Sequence, residues 1–165
     1  MKTPLVSIII PMYNVENCIA TCVQSVIKQS YTNFELLLID DGCIDKTCDI
    51  CREFIENDKR IYLIRKQNGG VSSARNLGLK KAHGNYVCFI DSDDWVEVDF
   101  LKELIQYDSF DLVVGGCEGV GCMIYSTKRN ENLIIDFKHP NKAAQILNAN
   151  NENTISAFYY SWGKL

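Results

Sequence analysis

The sequence predicts an α/β protein built on a mostly parallel sheet flanked by helices, and three observations carry that prediction. Short apolar runs alternate with longer amphipathic segments, which is the pattern of strand–helix–strand units. Three of the apolar runs end in small, acidic or turn-forming residues, as expected where parallel strands stop along one ligand-facing edge. The 165 residues, 47% hydrophobic and 23% charged, suit about one globular domain and exclude a collagen, a disordered tail or a multidomain assembly.

Val6 to Ile10 reads as the first strand, stopped by Pro11, and Glu16 to Gln29 as a helix with Asn14 as its cap. Ile19, Val23, Val26 and Ile27 share one face of that helix. Phe34 to Ile39 is a second strand ending in Asp40-Asp41-Gly42. A helix from about Asp45 to Asn57 turns Ile50, Phe54 and Ile55 inward, and a third strand follows at Ile61 to Ile64. Asn68-Gly69-Gly70 is a turn, after which Val71 to Ala82 forms a helix starting near Gly70 to Ser72. Gly84-Asn85 leads into a fourth strand, Tyr86 to Ile90, which ends in Asp91-Ser92-Asp93-Asp94. A helix from about Val96 to Gln106 precedes a fifth strand at Asp111 to Val114. Beyond it the signal weakens, with an Asn-rich stretch from Asn130 to Asn153 and one helix expected from Pro140 to Asn148. No internal repeat or interdomain linker is visible.

A net charge of -4 and a pI near 5.2 argue against a nucleic-acid binder, which needs clustered Lys and Arg to neutralise phosphates. No apolar run approaches the ~20 residues of a membrane-spanning helix, and Met1-Lys2-Thr3-Pro4 leads straight into a strand without a signal-peptide core. The expectation is a soluble, intracellular chain. The 8 cysteines then read as reduced, mostly structural thiols, because Cys88 sits inside an apolar run while Cys18/Cys22 and Cys48/Cys51 have helix-face spacings. Cys48-x-x-Cys51 is also compatible with redox or metal chemistry, but no second such pair and no nearby His completes a zinc set.

The strand ends Pro11-Met12-Tyr13-Asn14, Asp40-Asp41-Gly42 and Asp91-Ser92-Asp93-Asp94 converge on one crevice if the sheet is parallel. Like-charged carboxylates gathered there need a cation to offset them. Oxygen-only ligation with few protein groups suits Mg²⁺ or Mn²⁺, with a substrate's phosphates completing the shell. Any single Asp here reads equally as a helix cap, but capping does not explain paired carboxylates at two strand ends. The Gly69-Gly70 turn lets backbone approach a phosphate, and Arg75 on the next turn adds a guanidinium suited to phosphate or base edges. G-x-G-x-x-G is absent after the first strand, as is a P-loop, which removes the common nicotinamide and nucleotide-triphosphate readings.

Val6-Ser7-Ile8-Ile9-Ile10-Pro11-Met12-Tyr13-Asn14, Asp40-Asp41-Gly42, Asn68-Gly69-Gly70 with Ala74-Arg75-Asn76, and Asp91-Ser92-Asp93-Asp94-Trp95, in that order, resemble the family 2 glycosyltransferases. The resemblance covers Val6 to Trp95 strongly and the remainder weakly. It implies the GT-A fold, a Rossmann-like mostly parallel sheet, and inverting transfer from a nucleotide sugar, typically UDP-linked, to a saccharide or lipid-linked acceptor. By that resemblance Pro11, Tyr13 and Asn14 line the nucleotide pocket, Asp40 meets the base, Asp41 supports the pocket, and Arg75 lies beside the nucleotide. Asp91 lies near the ribose or metal and Asp93 holds the divalent ion, Mg²⁺ or Mn²⁺. The implied setting is bacterial surface polysaccharide synthesis, in the cytoplasm or at the inner face of the membrane.

Two departures stand out. The family follows Asp-Asp-Gly with Ser-Thr-Asp, whereas this chain has Cys43-Ile44-Asp45, losing two capping hydroxyls and keeping Asp45. The family's catalytic base lies past a Trp-x-Lys-Leu segment, which resembles Trp162-Gly163-Lys164-Leu165. The expectation is therefore a donor-binding part over 1–115 and the beginning of an acceptor-side part over 116–165, C-terminally incomplete, with the base past Leu165. Glu118 and Asp136 are the internal alternatives, and neither sits in a recognisable motif. The rival reading is a non-catalytic nucleotide-sugar-binding module. A dehalogenase-type phosphatase or a receiver domain fits less well, since each places its acidic motif after the first strand, which here ends in Pro11-Met12-Tyr13-Asn14.

Overall fold

A computed structural model describes residues 3–106 and the strand segments 112–114, 133–135 and 161–164. Its elements in chain order are β1 Val6–Met12, α1 Ile19–Ile27, β2 Phe34–Asp40, α2 Thr47–Asn57, β3 Ile61–Arg65, α3 Val71–Lys81, β4 Tyr86–Phe89, α4 Phe100–Ile105, β5 Leu112–Val114, β6 Leu133–Ile135 and β7 Ser161–Lys164. Among the described residues the strands form one sheet in the order β3-β2-β1-β4-β7-β5-β6. β1 to β4 run parallel, with Ile8 opposite Leu36 and Cys88, and Leu38 opposite Leu63. The later strands are antiparallel, β7 lying between β4 and β5 with Trp162 opposite Cys88 and Val113. The Trp-Gly-Lys segment is thus a strand of the sheet.

The period of two along each strand sends alternate side chains to opposite faces. Val6, Ile8, Ile10 and Met12 of β1 join Leu36 and Leu38 of β2 on one face, packed with Ile19, Val23 and Val26 of α1, Cys48 and Cys51 of α2, and Leu101 and Leu104 of α4. Ile9, Leu37 and Ile39 face the other way onto Ala74 of α3. Each fully buried Ile or Leu contributes roughly 1.5–3 kcal/mol, so the two-sided burial of β1 and β2 anchors the fold. α3 approaches β1 closely because Gly78 is the residue beneath it. A Cβ there would stand 2.4 Å from Ile9 Cγ2.

Several boundaries differ from the sequence reading for identifiable reasons. Pro11 does not stop β1, which continues to Met12. The Ile9 carbonyl receives the Ile90 N–H, so the odd residues of β1 address β4, whose ladder has ended by the level of Pro11. The missing proline N–H has no partner to lose there. α4 begins at Phe100, not Val96, because Gln29 and its neighbours hold the preceding backbone. Gln29 Nε2 donates to the Glu97 carbonyl at 2.6 Å, its Oε1 accepts from Leu101 N–H, and Ser30 N–H donates to the Val98 carbonyl. In α2 the buried positions are Thr47, Cys48 and Cys51, with Ile50, Phe54 and Ile55 only partly buried against the core. The helix expected at Pro140 to Asn148, along with Glu118 and Asp136, lies outside the described residues.

Among the described residues Cys18, Cys22, Cys43, Cys48, Cys51 and Cys88 are free thiols, and all of these but Cys18 are buried. Among the described residues no helix is long and apolar enough to cross a membrane.

Candidate active site

Strand order reverses beside β1: β2 and β3 are added on one side, and β4 on the other. The connections leaving the carboxyl ends of β1 and β4 therefore diverge, which opens a crevice of the kind that binds ligands in open α/β sheets. A cleft of about 500 Å³ lies there. Its walls are Pro11 and Met12 at the end of β1 with Tyr13 and Val15 after it, Asp41 after β2, Asn68, Gly70, Val71, Ala74 and Arg75 at the turn and start of α3, and Asp91, Ser92 and Asp93 after β4.

The acidic pair after β2 separates into two environments. Asp40 has no exposed surface and lies under the cleft, not in its wall. Its Oδ1 accepts from the N–H groups of Gly42 at 3.0 Å and Cys43 at 2.7 Å. Its Oδ2 accepts from Cys48 Sγ at 3.2 Å and faces Arg65 Nε at 3.2 Å. Burial alone would push this carboxyl up, but the Cys43 N–H, the Cys48 and Cys43 thiols and the Arg65 charge together hold it below the usual range. The base contact expected of Asp40 thus meets a carboxylate whose oxygens are already held by this turn. Its neighbour is the one that reaches the cleft. Asp41 accepts from Lys66 Nζ at 2.5 Å and Gly69 N–H at 3.0 Å on Oδ1, and from Gly70 N–H at 2.8 Å on Oδ2. The nearly buried pair of Asp41 and Lys66 fixes the glycine turn and hence the start of α3.

Asn14 does not cap α1, whose N-cap is Cys18 without a side-chain bond. It occupies the left-handed region at φ 53°, a conformation Asn tolerates better than most residues. From there its Oδ1 accepts from Ile44 N–H at 2.9 Å, tying the β1 turn to the β2 turn. The same seam is closed by Val15 N–H to Thr47 Oγ1 at 2.8 Å, Glu16 N–H to Asp45 Oδ2 at 3.1 Å, and Lys46 N–H to Glu16 Oε2 at 2.9 Å. Asp45, expected to cap α2, accepts from Thr47 N–H at 3.0 Å and so works one residue ahead of the formal cap, Lys46. Tyr13, held at the turn, is about half exposed at the cleft wall.

After β4, Asp91, Asp93 and Asp94 each offer a carboxylate oxygen, and these oxygens lie within 4.8 Å of one another. Asp91 Oδ1 accepts from Arg75 NH2 at 2.7 Å, and the Arg75 guanidinium lies 5.9 Å from the Phe89 ring centroid. Burial pushes Asp91 above the ordinary carboxylate range, the Arg75 charge opposes this, and Asp94 and Asp93 push it further up. Asp93 is exposed at the cleft mouth. An oxygen-only set, open on the cleft side and carrying surplus negative charge, fits a hard divalent cation that keeps ligand positions for water and phosphate.

The structure thus brings Pro11, Tyr13, Asp41, Arg75, Asp91 and Asp93 to one cleft, sets Asn14 as the brace behind it, and buries Asp40 beneath it. Lys66 and Val71 were not singled out from sequence. A lysine just past the third strand, close before a glycine turn, was the available signal for the first. The exposed Val71 at the start of α3 carried none.

The chain matches the family model for Glycosyl transferase family 2 over residues 7–164. It is 45% identical over 114 residues to glycosyltransferase GlyA of Streptococcus pneumoniae serotype 4, covering 67% of this chain and 16% of that protein. It is 35% identical over 135 residues to the hyaluronan synthase of Pasteurella multocida, covering 79% of this chain and 13% of that protein. Among solved structures, S. aureus TarS 1-349 in complex with UDP-GlcNAc superposes with a TM-score of 0.68 at 32% identity, covering 74% of this chain and 37% of that one. The chain therefore spans a minor part of the length of each.

Proposed function

The chain belongs to glycosyl transferase family 2 and has the GT-A fold, and from that premise we propose that its cleft binds a UDP-sugar for inverting transfer to an acceptor hydroxyl. The observation that carries this reading is the cleft at the β1/β4 reversal with Asp91, Asp93 and Asp94 gathered at its mouth. The likeness to a UDP-GlcNAc complex supports the choice of donor. We assign the chain to bacterial surface polysaccharide synthesis, with residues 1–115 as donor-binding part and residues past them as acceptor-side part. The resemblance to a hyaluronan synthase supports that setting.

In this reading Tyr13 offers its ring to the base, and Asp41 gives the pocket an acidic wall fixed by Lys66 and the Gly69 and Gly70 N–H groups. Arg75 orients Asp91 and brings positive charge beside the diphosphate. Asp91 and Asp93 hold the divalent ion, Mg²⁺ or Mn²⁺. When bound, such an ion stabilises the charge that grows on a departing diphosphate. Transfer also needs a base on the acceptor side. The described carboxylates of the cleft are committed to Lys66, to Arg75 and to the metal position.

Calorimetry with UDP and UDP-sugars, with and without Mn²⁺, tests the proposal. Mn²⁺-dependent UDP binding that disappears in Asp93→Ala is the expected result. Absence of any nucleotide binding overturns it, and donor binding without sugar turnover reduces it to a binding module.

A further inference from the structure

Beneath the cleft, on the α2 face of the sheet, lies a group of sulfurs that donor binding does not use. A carboxylate oxygen of Asp40 and the sulfurs of Cys43 and Cys48 all lie within 4.8 Å of one another, and all three residues are buried. Oδ1 of Asp40 is held by two backbone N–H groups, which aims Oδ2 at the thiols. Cys48 sits in the first turn of the 11-residue α2, which fixes its sulfur beside Asp40. Cys51, one turn further along, adds a third sulfur, 3.6 Å from Met12 Sδ.

We propose that Asp40, Cys43 and Cys48 form a second metal site, for a thiophilic divalent cation such as Zn²⁺ or Cd²⁺, and that filling it weakens nucleotide binding. The donors are borderline to soft, unlike the all-oxygen set at Asp91 and Asp93, so the two sites sort metals by ligand chemistry. Around a tetrahedral zinc, ligand atoms stand roughly 3.5–3.8 Å apart, so donors that all lie within 4.8 Å of one another need to close by at most about 1.3 Å. The balance is simple: one divalent cation and two thiols give a bis-thiolate carboxylate complex and release two protons to solvent. Net charge at the buried site is the same before and after, and the Arg65 guanidinium beside Asp40 continues to offset it.

A free thiol carries its proton at neutral pH, so each of the two thiols gives one up when the metal binds. The link to the cleft runs through Cys43. Its sulfur accepts from Asn14 N–H at 3.4 Å and donates to the Met12 carbonyl at 3.6 Å, on either side of Tyr13. Drawing that sulfur toward Cys48 removes both supports from the wall that carries the tyrosine ring.

Titration of the full chain with Cd²⁺ tests this. The expected result is thiolate-to-cadmium absorption in the ultraviolet saturating near one ion per chain, with about two protons released per ion in weak buffer. The band should persist in Asp93→Asn and vanish in Cys43→Ser, which retains a hydroxyl for the Asn14 contact. Stoichiometric Cd²⁺ should then lower UDP affinity in Mn²⁺ about tenfold in the parent and leave the Cys43→Ser chain unaffected. Absence of the band, or its survival in Cys43→Ser, overturns the site. A normal band with unaltered UDP binding overturns the coupling. The band does not depend on nucleotide, so failure of the donor-binding reading is seen separately.

Discussion

After β2 the chain turns through Asp40 and Asp41, and after β4 through Asp91, Asp93 and Asp94, at the same edge of the same sheet. At the first turn the carboxylate oxygens collect backbone N–H groups, a lysine, an arginine and a thiol, and Asp40 is held below the ordinary carboxylate range. At the second, Arg75 takes one oxygen of Asp91, the side chains of Asp93 and Asp94 accept no hydrogen bond from any described residue, and Asp91 is pushed up, chiefly by burial. Acidic content alone does not suit a turn to a cation. Oxygens with few protein donors, held close together and open to a cleft, are what recommend the second turn as the metal position proposed above.

Substitutions at the two turns should separate along that line. Asp40→Ala strips the partner from the buried Cys43 N–H and the half-buried Gly42 N–H and removes the carboxylate facing the exposed Arg65, so it should cost roughly 2–4 kcal/mol in urea unfolding. A loss below about 1 kcal/mol would place the structural weight of this turn elsewhere. Lys66→Met should cost less, about 1–3 kcal/mol, because Asp41 keeps its bonds from Gly69 and Gly70. If the Lys66 effect equals that of Asp40→Ala, the ion pair outweighs the backbone bonds and the ranking within the turn reverses.

Asp93→Ala should behave oppositely, leaving unfolding within about 0.5 kcal/mol of the parent while Mn²⁺-dependent UDP affinity falls at least about tenfold. Unchanged affinity would remove Asp93 from the metal position. The smallest effect is on pH dependence. Because the folded pKa of Asp40 is depressed, its contribution is complete above the ordinary carboxylate pKa of ~3.9 and is lost as pH falls through the lower folded value. The stability gap between the parent and Asp40→Asn should therefore shrink on acidification below about pH 4. A gap that widens there would contradict the assigned direction.

The order of strands and helices up to β4 was legible because two-sided burial writes continuous apolar runs such as Ile8-Ile9-Ile10 and Leu36-Leu37-Leu38. The three strand ends that meet at the cleft were legible for the same reason, once the sheet was taken as parallel. What was not legible depends on contacts between distant segments. Asn14 looks like a helix cap until the β2 turn arrives beside it. Gln29 looks like the last residue of a helix, yet it sets the start of α4 through its bond to Leu101, 72 positions on, with a side chain buried to 4% exposure. Asp40 and Asp41 are adjacent, chemically identical and both buried, so only the backbone direction at the end of β2 decides which one lines the cleft.

Gly78 carries a consequence for the donor that its distance from the cleft conceals. α3 rests on β1 through this residue and Ile9, while the same helix presents Val71 and Arg75 to the cleft and the same strand presents Pro11 and Met12. The two walls thus pivot on one contact, and the missing methyl group acts as the spacer that sets the aperture. A single added carbon in Gly78→Ala would meet Ile9 at once and lift the helix, transmitting a change at the fulcrum to the gap proposed to hold the nucleotide.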